Sequence, residues 1–453
     1  MTSTAVPNPT KAEIRTVVAS SILGTTVEWY DFFLYGIAAG LVFDKLFFPS
    51  ADPVVGTLLA FATFAIGFVA RPVGGLIFGH IGDRVGRKKT LVATMIIMGV
   101  ATFLIGVVPS YDTIGIAAPI LLVLLRLAQG AAIGGEWGGA VLMAVEYAPR
   151  GKRGYYGSLP QIGLALGLML GTGVFAALNS TMSGDAFLAF GWRIAFMLSL
   201  ILVAVGIFVR LKLMETPAFR VLEKTEEKST VPALDLIKDV RSRRNLLLGL
   251  GSRWAEGVAF NTWAVFAITY GTGTLHMSRQ TMLISVMAAA ATMVFFIPMY
   301  GKLTDRYDRK KLFALGVVIS TAAAYPAFLL LGTATTSVVV ITIVIILGVL
   351  YPMMYGPQPS LYAELFPTRV RYSGISVVYQ LSGIVASGLT PLILTYLLSV
   401  AGGRISMITT YIFAVGVIST LSTLAIRRRD MHAEIVENPT ISATVRAGIT
   451  APT

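Results

Sequence analysis

Gly79-His-Ile-Gly-Asp83-Arg-Val-Gly-Arg87-Lys-Lys89 closes one apolar run, and Gly301-Lys-Leu-Thr-Asp305-Arg-Tyr-Asp-Arg309-Lys-Lys311 closes another. The two copies stand 222 residues apart, close to half of the 453-residue chain. Each sets an acid and a cluster of arginines and lysines at the same offsets. A repeat at that distance predicts two equivalent halves, arranged as parallel repeats about an axis along the membrane normal.

The runs on either side decide what those halves are made of. Apolar stretches occupy about 17–41, 54–80, 90–108, 116–146, 157–180, 190–212, 245–272, 280–302, 311–332, 336–364, 370–397 and 404–426. A spanning helix takes roughly 20 apolar residues, so twelve would use about half of the chain. Composition agrees: 55% of residues are hydrophobic and 13% charged, against about 25% charged in soluble domains. The reading is an all-α integral membrane protein, with twelve transmembrane helices in two six-helix pseudo-symmetric bundles. Residues 17–212 form the first bundle and 245–426 the second. The segment 213–244 is a charged cytoplasmic linker, with an amphipathic or plain linker helix from Pro232. Residues 1–16 and 427–453 are polar cytoplasmic tails. No removable signal segment is evident.

The formal net charge is +13, which on a soluble protein would suggest nucleic acid. Its placement argues otherwise. With both termini in the cytoplasm, 29 of the 36 lysines and arginines fall in cytoplasmic segments. The bias recurs loop after loop, and an odd number of helices would destroy it. The basic surface is therefore expected to face anionic lipid of an inner membrane rather than DNA. No cysteine is present, which excludes disulfides, thiolate metal sites and cysteine nucleophiles. His80, His276 and His432 are scattered and make no metal-ligand pair. There is no Walker lysine loop, nucleophile triad or cofactor loop. No enzyme activity, cofactor or metal is expected, and no ATP-driven transport.

Seven ionisable residues lie well inside apolar runs: Glu28, Asp31, Arg71, Arg126, Glu136, Arg253 and Glu256. Unpaired, they would cost roughly 20 kcal/mol together on the insertion scale, so they must face an interior chamber and pair. Glu28, Asp31 and Tyr35 recur at i, i+3 and i+7, one face of a helix. Gln129 and Glu136 share a face of the fourth run, with Arg126 adjoining. Arg253, Glu256 and Phe260 repeat the pattern on the seventh. Four acids against three arginines leave one negative charge over. A desolvated carboxylate without a cation takes up a proton, which points to proton coupling through Glu28, Asp31, Arg126, Glu136 and Glu256. A released arginine can hold a substrate carboxylate bidentately. Tyr35, Arg126, Gln129, Trp137, Arg253, Gln358, Tyr379 and Gln380 are the candidate contacts for a small polar solute. The small residues Gly163, Gly167 and Gly171, at four-residue steps, read as close helix packing.

The paired loops resemble the signature loops of the major facilitator superfamily, and Arg126-Leu-Ala-Gln129-Gly130 resembles its fourth-helix motif. A narrower similarity lies in Glu28-Trp-Tyr-Asp31-Phe-Phe-Leu-Tyr35-Gly36, Gly134-Gly-Glu136-Trp-Gly, Gly191-Trp-Arg193-Ile and Glu364-Leu-Phe-Pro-Thr-Arg369. These look like the metabolite:proton symporter family, whose members carry shikimate, 2-oxoglutarate, citrate, and proline or betaine. The resemblance implies two halves rocking about a central site lined by the first, fourth and seventh helices, and a functional monomer. It also implies an inside gate at Gly79, Asp83, Arg84, Arg87, Asp305, Arg306 and Arg309, with the two aspartates meeting helix ends and arginines across the halves. The expected function is proton-coupled import of a small organic acid such as shikimate. Uptake of a zwitterionic osmolyte and proton-driven efflux are the alternatives.

Overall fold

The computed structural model describes residues 11–85, 87–134, 144–145, 148–149, 151–213, 236, 238–367 and 370–432, whose regular structure is helical, with no strand among them. In hydrocarbon every backbone N–H and C=O must be bonded within its own segment, so long apolar runs become helices. Twelve result. In the first half they are α1 (Lys11–Ala38), α2 (Pro53–Val85), α3 (Arg87–Val107), α4 (Ala117–Ile133), α5 (Arg153–Thr181) and α6 (Gly184–Phe208). In the second they are α7 (Val240–Asn261), α8 (Arg279–Leu303), α9 (Arg309–Leu331), α10 (Thr336–Ala363), α11 (Ser373–Val400) and α12 (Ser406–Ala425). Eight of these are long and apolar enough to cross a membrane by length and composition alone. α3 and α4 contribute shorter apolar helices, and α1 and α7 carry the buried charges Glu28, Asp31, Arg253 and Glu256.

Helix starts are marked by side-chain caps. Ser278 accepts the Thr281 N–H, Asp308 the Lys311 N–H and Asp239 the Ser242 N–H. The Ser242 hydroxyl and N–H together hold the Asp239 carboxyl below its usual range. Large apolar side chains such as Leu76, Phe295 and Phe413 stay exposed along the outer faces, an arrangement suited to lipid and not to water.

Within the first half α1 packs on α5 and α6, and α2 on α4; within the second α7 packs on α12 and α11. The two most extensive contacts between the halves are α5 with α8 and α2 with α11. An offset of six helices carries α2 to α8 and α5 to α11, so these two seams are one contact used twice. The α2–α4 contact depends on glycine. A Cβ on Gly130 would collide with the backbone of Gly67, and one on Gly134 with the backbone of Arg71. Gly163 and Gly167 serve the same end in α5, where a Cβ would sit 2.6 Å from Thr25 Cβ and 2.7 Å from Trp29 Cβ of α1.

Five π-helical turns occur among the described residues. One, Ala39–Phe43, directly continues α1 and leads on to Phe47, and another, Thr262–Phe266, directly continues α7 and leads on to Gly273. Those two turns are 223 residues apart, beside the 222 of the loop repeat. The others are Phe187–Gly191 in α6, Val344–Leu350 in α10 and Ile384–Gly388 in α11.

Candidate functional site

A narrow chamber lies between the halves, with about 10 Å³ of free volume, room for roughly one water. α1 supplies Trp29 and Phe32, α2 Phe68 and Arg71, α7 Arg253, Glu256, Phe260 and Asn261, α10 Tyr351, and α11 Tyr379 and Ser387. Two buried arginines therefore face each other's half across it. Arg71 lies over Phe68 at 4.3 Å and Phe32 at 4.6 Å, with Glu28 close enough to act on it electrostatically. Stacking a guanidinium on rings satisfies its charge without using its N–H groups. Arg253 sits over the Tyr379 ring at 3.7 Å and donates to the Tyr379 carbonyl (3.1 Å) and the Ser382 hydroxyl (2.9 Å). Its Nε is 3.4 Å from Glu256 Oε2. Glu256 also accepts from Tyr351 Oη at 2.5 Å and Gln358 Nε2 at 3.3 Å. Both Glu256 oxygens are thus occupied by neighbours.

A second cluster sits within the first half. Arg126 donates to Gln129 and to the Phe64 carbonyl (3.4 Å), and its guanidinium rests over Tyr35 (4.2 Å), Phe32 (4.9 Å) and Phe64 (5.1 Å). Gln129 donates in turn to Thr102 Oγ1 (2.8 Å) and to the Asp31 carbonyl (3.4 Å). The Asp31 side chain is fully buried, and neither carboxylate oxygen has a hydrogen-bond partner. Thr102 is its polar neighbour, but that hydroxyl donates to the Met98 carbonyl at 2.9 Å. No carboxylate pairs with Arg126 among the described residues; aromatic faces and an amide hold it.

Hydrogen bonds cross between the halves on both sides of the chamber. At the end bearing the paired basic loops Asp305 accepts the backbone N–H groups of Gly154 (2.6 Å) and Tyr155 (3.0 Å) at the start of α5. Gln380 donates to the Gly134 carbonyl (2.7 Å) and Gln161 to the Tyr355 carbonyl (3.4 Å). On the opposite side Asn179 donates to Gln280 (3.1 Å), Arg279 donates to Asn179 (3.4 Å) and Thr269 to the Gly40 carbonyl (3.5 Å). Asp305→Asn should weaken this contact between the halves, since hydrogen bonds to a charged acceptor contribute about 1.5–3 kcal/mol. Opening there should become roughly tenfold or more populated. Spin labels on Lys152→Cys and Lys302→Cys, placed in a chain free of other cysteines, should report a longer inter-label distance. An unchanged distribution would remove Asp305 from the gate.

The residues expected from sequence divide three ways. Arg253, Glu256 and Tyr379 line the chamber, and Gln358 supports Glu256. Tyr35, Arg126 and Gln129 do not line it: the Tyr35 hydroxyl is bonded to Thr63 Oγ1 at 2.7 Å, and the other two lie inside the first half. Gln380 bonds across the halves to the Gly134 carbonyl and does not line the chamber. Glu136 and Trp137 lie outside the described residues, as do the side chains of Asp83, Arg84 and Arg87, while Gly79 falls within α2. Arg306 is exposed, and Arg309 pairs with Glu364 inside its own half. Six of the seven intramembrane groups are described, three acids and three arginines, all buried, and both Asp31 carboxylate oxygens lack a hydrogen-bond partner. Asn261 and Ser387 were missed. Asn261 stands eight residues after Arg253, on the same apolar stripe, which was a legible signal.

The sequence model of the Major Facilitator Superfamily matches residues 21–391. The shikimate transporter of Escherichia coli is 37% identical over 415 residues, covering 91% of this chain and 94% of that one. The proline/betaine transporter of the same organism is 36% identical over 423 residues, covering 92% and 84%. Among solved structures, the xylose transporter from E. coli in a partially occluded inward-open conformation superposes with a TM-score of 0.71 at 17% identity, covering 91% of this chain and 97% of that one. The twelve helices, their twofold use of one interface and these similarities agree: the chain belongs to the major facilitator superfamily and is a multi-pass membrane transporter of small molecules, not an enzyme.

Proposed function

We propose that the chain is a proton-coupled symporter that brings a small organic acid into the cell by alternating access. The observation that carries this reading is Asp31, fully buried with no partner on either oxygen. Keeping an ionised carboxylate in such a place is costly, and taking up a proton removes that cost. Asp31 is the proton site on this reading, and Arg126, tied through Gln129 to the Asp31 backbone, senses its state. The two chamber arginines are suited to an anionic solute. The protein acts as a monomer in the inner membrane with both termini in the cytoplasm, following its basic loops. Purified protein in liposomes should accumulate labelled shikimate under an inward proton gradient. Uptake indifferent to the gradient would refute the coupling.

A zwitterionic osmolyte is the second reading, favoured by the near-equal identity to the proline/betaine transporter. Competition of shikimate uptake by betaine, with carboxylates inert, would select it.

A further inference from the structure

Besides Arg253 Nε, which faces Glu256 at 3.4 Å, three side-chain atoms of chamber-lining residues have no hydrogen-bond partner: Trp29 Nε1, Arg71 Nε and Asn261 Oδ1. Their residues are 6%, 3% and 2% exposed. A buried polar atom left unbonded is destabilising, and three around one cavity point to a ligand that completes them. Two are N–H donors and ask for acceptors. The third is an acceptor and asks for a donor. Asn261 cannot reverse its amide without loss, because Nδ2 already donates to the Gly257 carbonyl at 3.0 Å.

We propose that the chamber selects carboxylates that also bear a hydroxyl group, and that Asn261 Oδ1 reads that hydroxyl. The proposal rests on the organic-acid reading above and narrows it. The carboxylate meets Arg71, and the hydroxyl donates to Asn261 while its oxygen is free to accept from Trp29. An ammonium or quaternary ammonium group fits less well. The carboxylate on the chamber wall, Glu256, has both oxygens taken by Tyr351, Gln358 and Arg253. Three of the chamber's rings already hold a cation: Phe32 and Phe68 lie against Arg71, and Tyr379 against Arg253. Betaine moreover has no donor for Asn261.

The test compares shikimate with 1-cyclohexenecarboxylate, which keeps the ring and the acid but lacks the three hydroxyls. Binding is read by calorimetry on purified protein, with proline and betaine alongside. The unsubstituted protein should bind shikimate at least about tenfold more tightly than the dehydroxylated acid, the discrimination of one lost hydrogen bond or more. Asn261→Leu should bring that ratio down several-fold. Equal binding of the two acids, an unchanged ratio in Asn261→Leu, or tighter binding of proline or betaine would overturn the inference. The ligand pair alone decides the question if Asn261→Leu fails to fold. Carboxylates that bind and are driven by the proton gradient regardless of hydroxylation would defeat this inference and leave the organic-acid symport standing. Failure of every carboxylate would bring down both.

Discussion

Asp31→Asn is expected to abolish accumulation against a gradient while exchange of solute between two pools continues. The substitution keeps the shape of the side chain and removes its ability to ionise. It sacrifices little packing or bonding, because neither Asp31 oxygen has a partner and the tie from Gln129 runs to the backbone carbonyl. The amide stands in for the protonated acid, so the rocking of the two halves is retained. What disappears is the exchange of one charge state for another. A pH difference of one unit is worth about 1.4 kcal/mol per proton, or roughly tenfold accumulation for a one-proton symporter. In liposomes carrying Asp31→Asn the ratio of internal to external solute should fall to one, with counterflow of labelled solute persisting. Accumulation at the original ratio would show that the proton is carried elsewhere, with Glu28 the next acid to test.

Gly130→Leu should produce the largest loss of stability. Gly130 in α4 faces the Gly67 backbone of α2, where even a single Cβ atom overlaps main-chain atoms. Side chains can rotate out of the way, but a helix backbone cannot without shifting the whole contact. Overpacking of a tight site costs about 1–3 kcal/mol and more when backbone must move. The same helix carries Arg126 and Gln129, so a displaced α4 would also dismantle the cluster beside Asp31. Fluorescence-detected size-exclusion chromatography should show loss of the monodisperse peak, and transport should vanish with it. Gly184→Ala, where a Cβ meets nothing within 4 Å, should stay within about 0.5 kcal/mol of the parent. Equal thermal stability of Gly130→Leu and Gly184→Ala would mean the α2–α4 approach is looser than described.

Much of the fold was legible because hydrocarbon leaves a chain few options. The run at 280–302 became Arg279–Leu303, that at 311–332 became Arg309–Leu331, and that at 404–426 became Ser406–Ala425. Intramembrane charges also announced themselves by their cost, and the six described ones are all buried. Their partners were less legible. Helical spacing places Glu28, Asp31 and Tyr35 on one side of α1, yet it cannot say which neighbour that side meets. Trp29 and Phe32, one residue further round, line the chamber instead. Arg126 was expected to find a carboxylate, and rings from α1 and α2 hold it, because aromatic faces can neutralise a guanidinium without an acid. Arg71 drew less attention than Arg126 in the sequence, but it is the arginine of the first half that reaches the solute space.

The π-helical turns have a mechanical consequence. A transporter must bend its helices as it alternates, and a kink that breaks backbone hydrogen bonds is heavily penalised where no water can replace them. A π-turn holds one surplus residue while keeping its N–H groups bonded, in a wider ring. Moving that surplus along the helix changes direction and rotates the far end without stranding a donor. α1 and α7 carry such slack at matched places, just beyond Asp31 on one side and Glu256 on the other. If these turns serve as joints, amides at 39–43 and 262–266 should exchange with deuterium faster than those of the straight turns preceding them.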